Sequence, residues 1–145
     1  MRAILVIAAL FPFVAGAQAP NKEAARLFER YVALGRAFDA KLADMYDDNA
    51  LIRHKRTSAD GAVREVTVPA QQYKSLLREE LPRAQARGDR STYSNVRYAR
   101  EGERVRVSAA RYSELRKYSS PLVLVVGPAA GGRWLIYEEH SESRR

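Results

Sequence analysis

Residues 45–55 read Met45-Tyr46-Asp47-Asp48-Asn49-Ala50-Leu51-Ile52-Arg53-His54-Lys55. Up to Tyr46 the apolar residues return every three or four positions; from Ala50 they return every second one. A change of period over so few residues means that a helical segment, closed by Asp47-Asp48-Asn49, hands over directly to a strand. On that strand Ala50, Ile52 and His54 share one face, while Leu51, Arg53 and Lys55 share the other. The first face is apolar apart from its imidazole. The second carries a guanidinium and an ammonium and is expected to meet water. A strand that is dry on one side needs a covering layer, which makes the chain α+β.

Upstream, Ala24, Leu27, Phe28, Tyr31, Leu34, Phe38, Leu42, Met45 and Tyr46 follow the three- and four-residue steps of an amphipathic helix. Asn21 is a candidate N-cap, and Gly35 with Asp39 predicts a break into a long helix and a short one. Further upstream, a basic Met1-Arg2, an apolar run from Ala3 to Val14 and small residues at Ala15-Gly16-Ala17 have the pattern of a secretory signal peptide. Residues 1–17 are therefore expected to be removed, with cleavage after Ala19 as the alternative. This predicts a periplasmic or secreted protein. The apolar run is too short for a membrane-spanning helix.

Downstream, Asp60-Gly61 is a turn, Ala62 to Val68 is the hairpin partner of the first strand, and Pro69 stops it. Tyr73, Leu76, Leu77 and Leu81 describe a third helix, expected to close near Pro82 and to finish at Gly88. Four strands follow. Val96 and Tyr98 face Val105 and Val107 across Glu101-Gly102. Leu122 to Val126 is an apolar run suited to a central strand, and Arg133 to His140 is the last strand before a polar tail, residues 142–145. The order is α-α-β-β-α-β-β-β-β.

The chain of 145 residues has no cysteine, so disulfides, thiolate metal sites and cysteine nucleophiles are excluded. Its formal charge of +8 favours anionic surroundings without choosing among them. Arg53, Lys55, Arg97, Arg104 and Arg106 share the outer sheet face, partly paired with Glu65 and Glu103, and could make weak contact with anionic envelope components. No nucleic-acid-binding signature is visible. The two histidines, His54 and His140, belong to no ligand cluster, and neither a phosphate loop nor a serine elbow occurs. No metal and no cofactor is implied.

Phe28-Glu29-Arg30-Tyr31, Met45-Tyr46-Asp47-Asp48-Asn49-Ala50 and Gly132-Arg133-Trp134-Leu135-Ile136-Tyr137-Glu138-Glu139-His140-Ser141, in this order and spacing, resemble the nuclear transport factor 2-like superfamily. That group includes ketosteroid isomerases and polyketide cyclases, and the likeness covers about residues 22–141. It implies a conical half-barrel: a curved, mixed sheet of about six strands covered by three helices, with an apolar cavity between them, often in a homodimer through the outer sheet face. Such a fold hosts many activities and assigns none.

The resemblance also suggests site residues. His54 falls where the isomerases carry a proton-shuttling carboxylate, and an imidazole there can act as a general base. Tyr31 lies near their oxyanion-stabilising tyrosine, after a one-residue gap. Their second donor, a carboxylic acid, falls near Leu124, which argues against steroid isomerisation. The alignment turns Leu135, Tyr137 and Glu139 toward the pocket, beside Phe28, Ile52 and Tyr73, with Glu139 in reach of His54 or wet at the open end. A one-residue slip in the preceding loop would exchange the faces of this strand and put Trp134 in the cavity. For His54 and Tyr31 the plainer alternative is a hydrogen-bonded core residue. Three readings follow: an exported domain binding a small, partly apolar molecule; an isomerase-, cyclase- or dehydratase-type enzyme; or a homodimeric interaction module.

Overall fold

A computed structural model describes residues 19–144. The expected signal peptide, residues 1–17, lies outside them, as does Arg145. Among the described residues no helix is long and apolar enough to cross a membrane.

The helical layer opens with α1, Ala19–Arg36. It starts two residues before Asn21, so the predicted cap lies inside the first turn, and Asn21 Oδ1 is buried with no hydrogen-bond partner. The break comes where Gly35 and Asp39 predict it. The Asp39 side chain accepts from the Lys41 amide and starts a short 3₁₀ helix, Ala40–Met45. Strand β1 then runs Tyr46–Thr57, and Asp47, Asp48 and Asn49, expected to close the helix, belong to the strand instead. β2 is Val63–Pro69.

Helix α2 spans Ala70–Arg87 and runs through Pro82 without closing there. Proline removes a single backbone donor, and the turns on either side hold the helix together. It ends at Gly88, which takes the left-handed conformation (φ 67°) and returns its amide to Ala84 and Gln85.

Four antiparallel strands complete the chain: β3 Ser91–Glu101, β4 Arg104–Ser113, β5 Tyr118–Pro128 and β6 Trp134–Arg144. The last one extends through the supposed polar tail, because Ser141 to Arg144 pair with His54 to Thr57. All six strands form one curved, unclosed sheet in the order β2-β1-β6-β5-β4-β3, with β1 and β6 parallel and every other pair antiparallel. The helices lie on one side. This is the α+β cone, in the expected element order.

The core sits between helices and sheet. Leu27, Phe28 and Tyr31 of α1 and Leu42 and Met45 of the 3₁₀ helix press on Ile52, Val105, Val107, Leu122, Leu124, Val126 and Ile136. Each such side chain contributes roughly 1.5–3 kcal/mol by leaving water. With no cysteine in the chain, this layer carries the stability.

One irregularity decides what the last strand presents to the core. Val126 pairs with Ile136, but the preceding Val125 pairs with Glu138, so Tyr137 is the extra residue of a β-bulge. The bulge reverses the alternation midway along β6. Ile136 before it and Glu139 and Ser141 after it are all buried on the concave face.

Candidate functional site

The bulge corrects the pocket expected on β6. Trp134 packs against the core, and it and Leu135 both line a cleft with Met45, Arg30 and Arg133. The Tyr137 hydroxyl donates to the Pro128 carbonyl (2.8 Å), and its ring carries the Arg104 guanidinium 3.9 Å above it. Neither Leu135 nor Tyr137 lines the opening between the helices and the sheet. Glu139 is inward because the extra residue intervenes, and strict alternation would have turned either Ile136 or Glu139 to water.

Glu139 is 1 % exposed, at the heart of the cone. It is neither wet nor bonded to His54. Tyr46 donates its hydroxyl to Oε2 through a short hydrogen bond, and Tyr73 donates to Oε1 at 3.0 Å. The two rings meet edge to face, 5.3 Å apart. Burial, and then the Glu139 charge, push both phenols well above their ordinary pKa, so both remain donors. Glu139 stands directly opposite Leu124 across β5 and β6. A carboxyl group absent from Leu124 is thus present on the adjacent strand.

His54 lies on the concave side, half-buried, as the alternation from Ala50 and Ile52 predicts. Both of its ring nitrogens are occupied: Nδ1 by Ser141 Oγ (3.0 Å) and Nε2 by Ser143 Oγ (2.8 Å). Burial lowers its pKa, and the Arg111 and Arg56 charges lower it further. At neutral pH it is a neutral imidazole held between two hydroxyls. Tyr31 is buried among aromatic rings, stacked on Phe28 (6.0 Å) and edge-on to Tyr93 (6.1 Å). Burial raises its pKa well above the ordinary value. Phe28 and Ile52 are core residues.

An opening remains between the helices and the sheet. It holds about 150 Å³, and its walls include Phe38, Leu42, Leu77 and Leu81 together with Tyr31, Tyr73, Tyr93 and Arg111. Tyr31 and Tyr73 thus share one cavity. His54 does not line it.

Arg111 is the residue that sequence reading passed over. The inward parity of Val105 and Val107 continues through Ala109 to Arg111, which is where the signal lay. Its guanidinium donates to the Glu142 carbonyl at 3.0 Å. Burial pulls its pKa down, but the Tyr31 and Tyr93 phenols and Glu139 outweigh that, and the net shift is upward. A permanent positive charge therefore stands in the cavity wall. On the convex face, Lys55 pairs with Glu142 and Arg106 with Glu101, instead of the expected Glu65 and Glu103.

No protein-family model matches the chain, and no curated protein matches it. Solved structures do. A protein of unknown function from Shewanella oneidensis, described as nuclear transport factor 2-like, superposes with a TM-score of 0.61 at 14 % identity, over 86 % of this chain and 99 % of that one. The β subunit of a putative aromatic-ring-hydroxylating dioxygenase from Novosphingobium aromaticivorans gives 0.59 at 11 % identity, over 89 % and 93 %. A nuclear transport factor 2-like protein with a cystatin-like fold from the same organism gives 0.56 at 14 %, over 85 % and 80 %. At such identities the likeness establishes a shared fold and nothing about activity.

Proposed function

With the nuclear transport factor 2-like cone as the premise, we propose that this chain is an exported domain that binds a small, partly apolar molecule in the opening between its helices and its sheet. The observation that carries the reading is the composition of the cavity wall. Phe38, Leu42, Leu77 and Leu81 supply apolar surface, and polar groups line it beside them: the phenols of Tyr31 and Tyr73, and Arg36, Asp89, Ser91 and Arg111. Apolar walls with a small number of placed polar groups are the usual make-up of ligand sites. A volume of about 150 Å³ suits a group the size of a benzene ring. Export rests on the N-terminal sequence pattern alone. In this reading the convex sheet face, where Pro121 and Val123 lie among Arg53, Lys55 and Glu65, is the surface for a homodimer.

The enzyme reading, with His54 as base and Tyr31 as donor, is weaker. A general base needs a ring nitrogen within about 3 Å of the proton it takes, and both His54 nitrogens are bonded to serines.

The test is a titration with benzyl alcohol followed by amide NMR. Shifts centred on Phe38, Leu42, Leu77 and Leu81, lost when Ala84→Phe fills the cavity wall, support the pocket. Shifts elsewhere, or none, overturn it.

A further inference from the structure

A second cleft adjoins the cavity, and its lining is of another kind. On the concave face Arg56 pairs with Ser143 and Arg111 with Ser120, while β5 and β6 lie side by side. One row across four strands therefore reads Arg56, Ser143, Ser120, Arg111. The two arginines are three strands apart, about 14 Å between backbones at ~4.8 Å per step, and on a concave sheet their side chains converge. The next row places Ser91 and Ser113 opposite each other, then Tyr118. Arg116 joins from the turn between β4 and β5, its amide held by Ser113 Oγ at 3.1 Å. These residues and Asp89 enclose about 250 Å³.

Three guanidiniums thus face one carboxylate. Among the described residues none of the three forms a salt bridge. Bringing like charges together without a counter-ion costs free energy, which a bound anion returns. Arginine forks and serine hydroxyls are donors matched to carboxylate and phosphate oxygens. Arg111 is already held in position by the Glu142 carbonyl. It also belongs to both openings, together with Asp89 and Ser91.

We propose that this cleft takes the oxyanion head group, carboxylate or phosphate, of a small ligand whose apolar part enters the neighbouring cavity. The apolar half of this assignment rests on the pocket reading above; the head-group site stands on its own residues. Arg111 sits at the junction, Arg56 and Arg116 close the outer side, and the serines complete the oxygen contacts.

Calorimetric titrations with phenylacetate, phenyl phosphate, benzyl alcohol and inorganic phosphate test it. Either aromatic anion should bind at least roughly tenfold tighter than benzyl alcohol, and the advantage should shrink with salt. The better of the two identifies the head group. Arg111→Gln should remove the advantage. Arg56→Gln and Arg116→Gln change exposed side chains and keep the test open if the first variant folds poorly; each should weaken the anions severalfold and leave benzyl alcohol unaffected. Benzyl alcohol binding as well as the anions, or anion affinity indifferent to Arg56→Gln and Arg116→Gln, overturns the head-group site and spares the pocket. Inorganic phosphate binding without benzyl alcohol sinks the pocket and spares the head-group site. No binding by any probe removes both.

Discussion

The Tyr73 hydroxyl donates to Glu139 Oε1 across 3.0 Å, fastening helix α2 to the middle of the sheet through a buried carboxylate. With Tyr46 on the other oxygen, Glu139 receives two charge-assisted hydrogen bonds and forms no salt bridge with any described cation. Removing one donor leaves a buried anion short of a partner. Tyr73→Phe is therefore expected to lower stability by about 1.5–3 kcal/mol in urea unfolding. Replacing all three groups together, with Tyr46→Phe, Tyr73→Phe and Glu139→Leu, should cost less than the single changes combined, since no polar atom is then stranded. A triple variant as damaged as that sum contradicts this account.

Four buried phenols set the alkaline limit. Tyr31, Tyr46, Tyr73 and Tyr93 all have raised pKa values, in each case chiefly through burial. The unfolded chain loses these protons near pH 10, while the folded chain retains them. Above that pH the native state binds more protons than the unfolded state, so stability falls as pH rises. Unfolding monitored by circular dichroism should steepen above pH 10, and tyrosinate absorbance from these four rings should appear only with unfolding. Full ionisation in a protein that is still folded would refute it.

Much of this arrangement was written in local pattern. The change of period after Tyr46 marks the start of the sheet, and the apolar run Leu122 to Val126 identifies a central strand, because each signal is strong within its own few residues. The faces of β6 were not legible that way. They depend on Tyr137 being accommodated as an extra residue opposite β5, which is a property of two strands together. Pro82 misled for a related reason: a helix packed on a sheet tolerates a lost donor that would end an isolated one. Arg111 was within reach of parity counting, but that it forms no salt bridge among the described residues emerges only once the strands are in register.

His54 should leave an acid signature. Its folded-state pKa lies below the ordinary 6.5, first through burial and then through Arg111 and Arg56, with Glu139 and Glu142 pulling the other way. Below pH 6.5 the unfolded chain takes up this proton and the folded chain resists, so stability declines as pH falls through the window under 6.5. The melting temperature of His54→Gln should vary less between pH 7 and pH 5 than that of the parent. An anion in the Arg56–Arg111 cleft would offset the two guanidiniums and raise the His54 pKa, so phenylacetate, which stays ionised there, should bind more tightly as the pH falls below the ordinary 6.5. Parallel pH profiles for parent and variant would show that this imidazole contributes nothing.

The bulge at Tyr137 offers the sharpest structural test, because it separates the residue's presence from its chemistry. Tyr137→Phe removes only the bond to the Pro128 carbonyl at a partly exposed position, and should cost about 1 kcal/mol or less. Deleting Tyr137 is different. It leaves Ile136 and Glu139 two positions apart, so strict alternation then holds both on the inward face, and Ile136, Glu138 and Glu139 keep Val126, Val125 and Leu124 as partners in an unbroken ladder. The deletion gives up the Arg104 contact and the bond to the Pro128 carbonyl, together with the extra twist that a bulge adds. It strands none of the groups around Glu139. The deletion variant should therefore still unfold cooperatively, somewhat below the parent temperature, while Tyr137→Phe melts within a few degrees of the parent. A deletion variant without a cooperative transition would show that the bend of β6 at the bulge, and not only the set of residues turned inward, is needed to close the core.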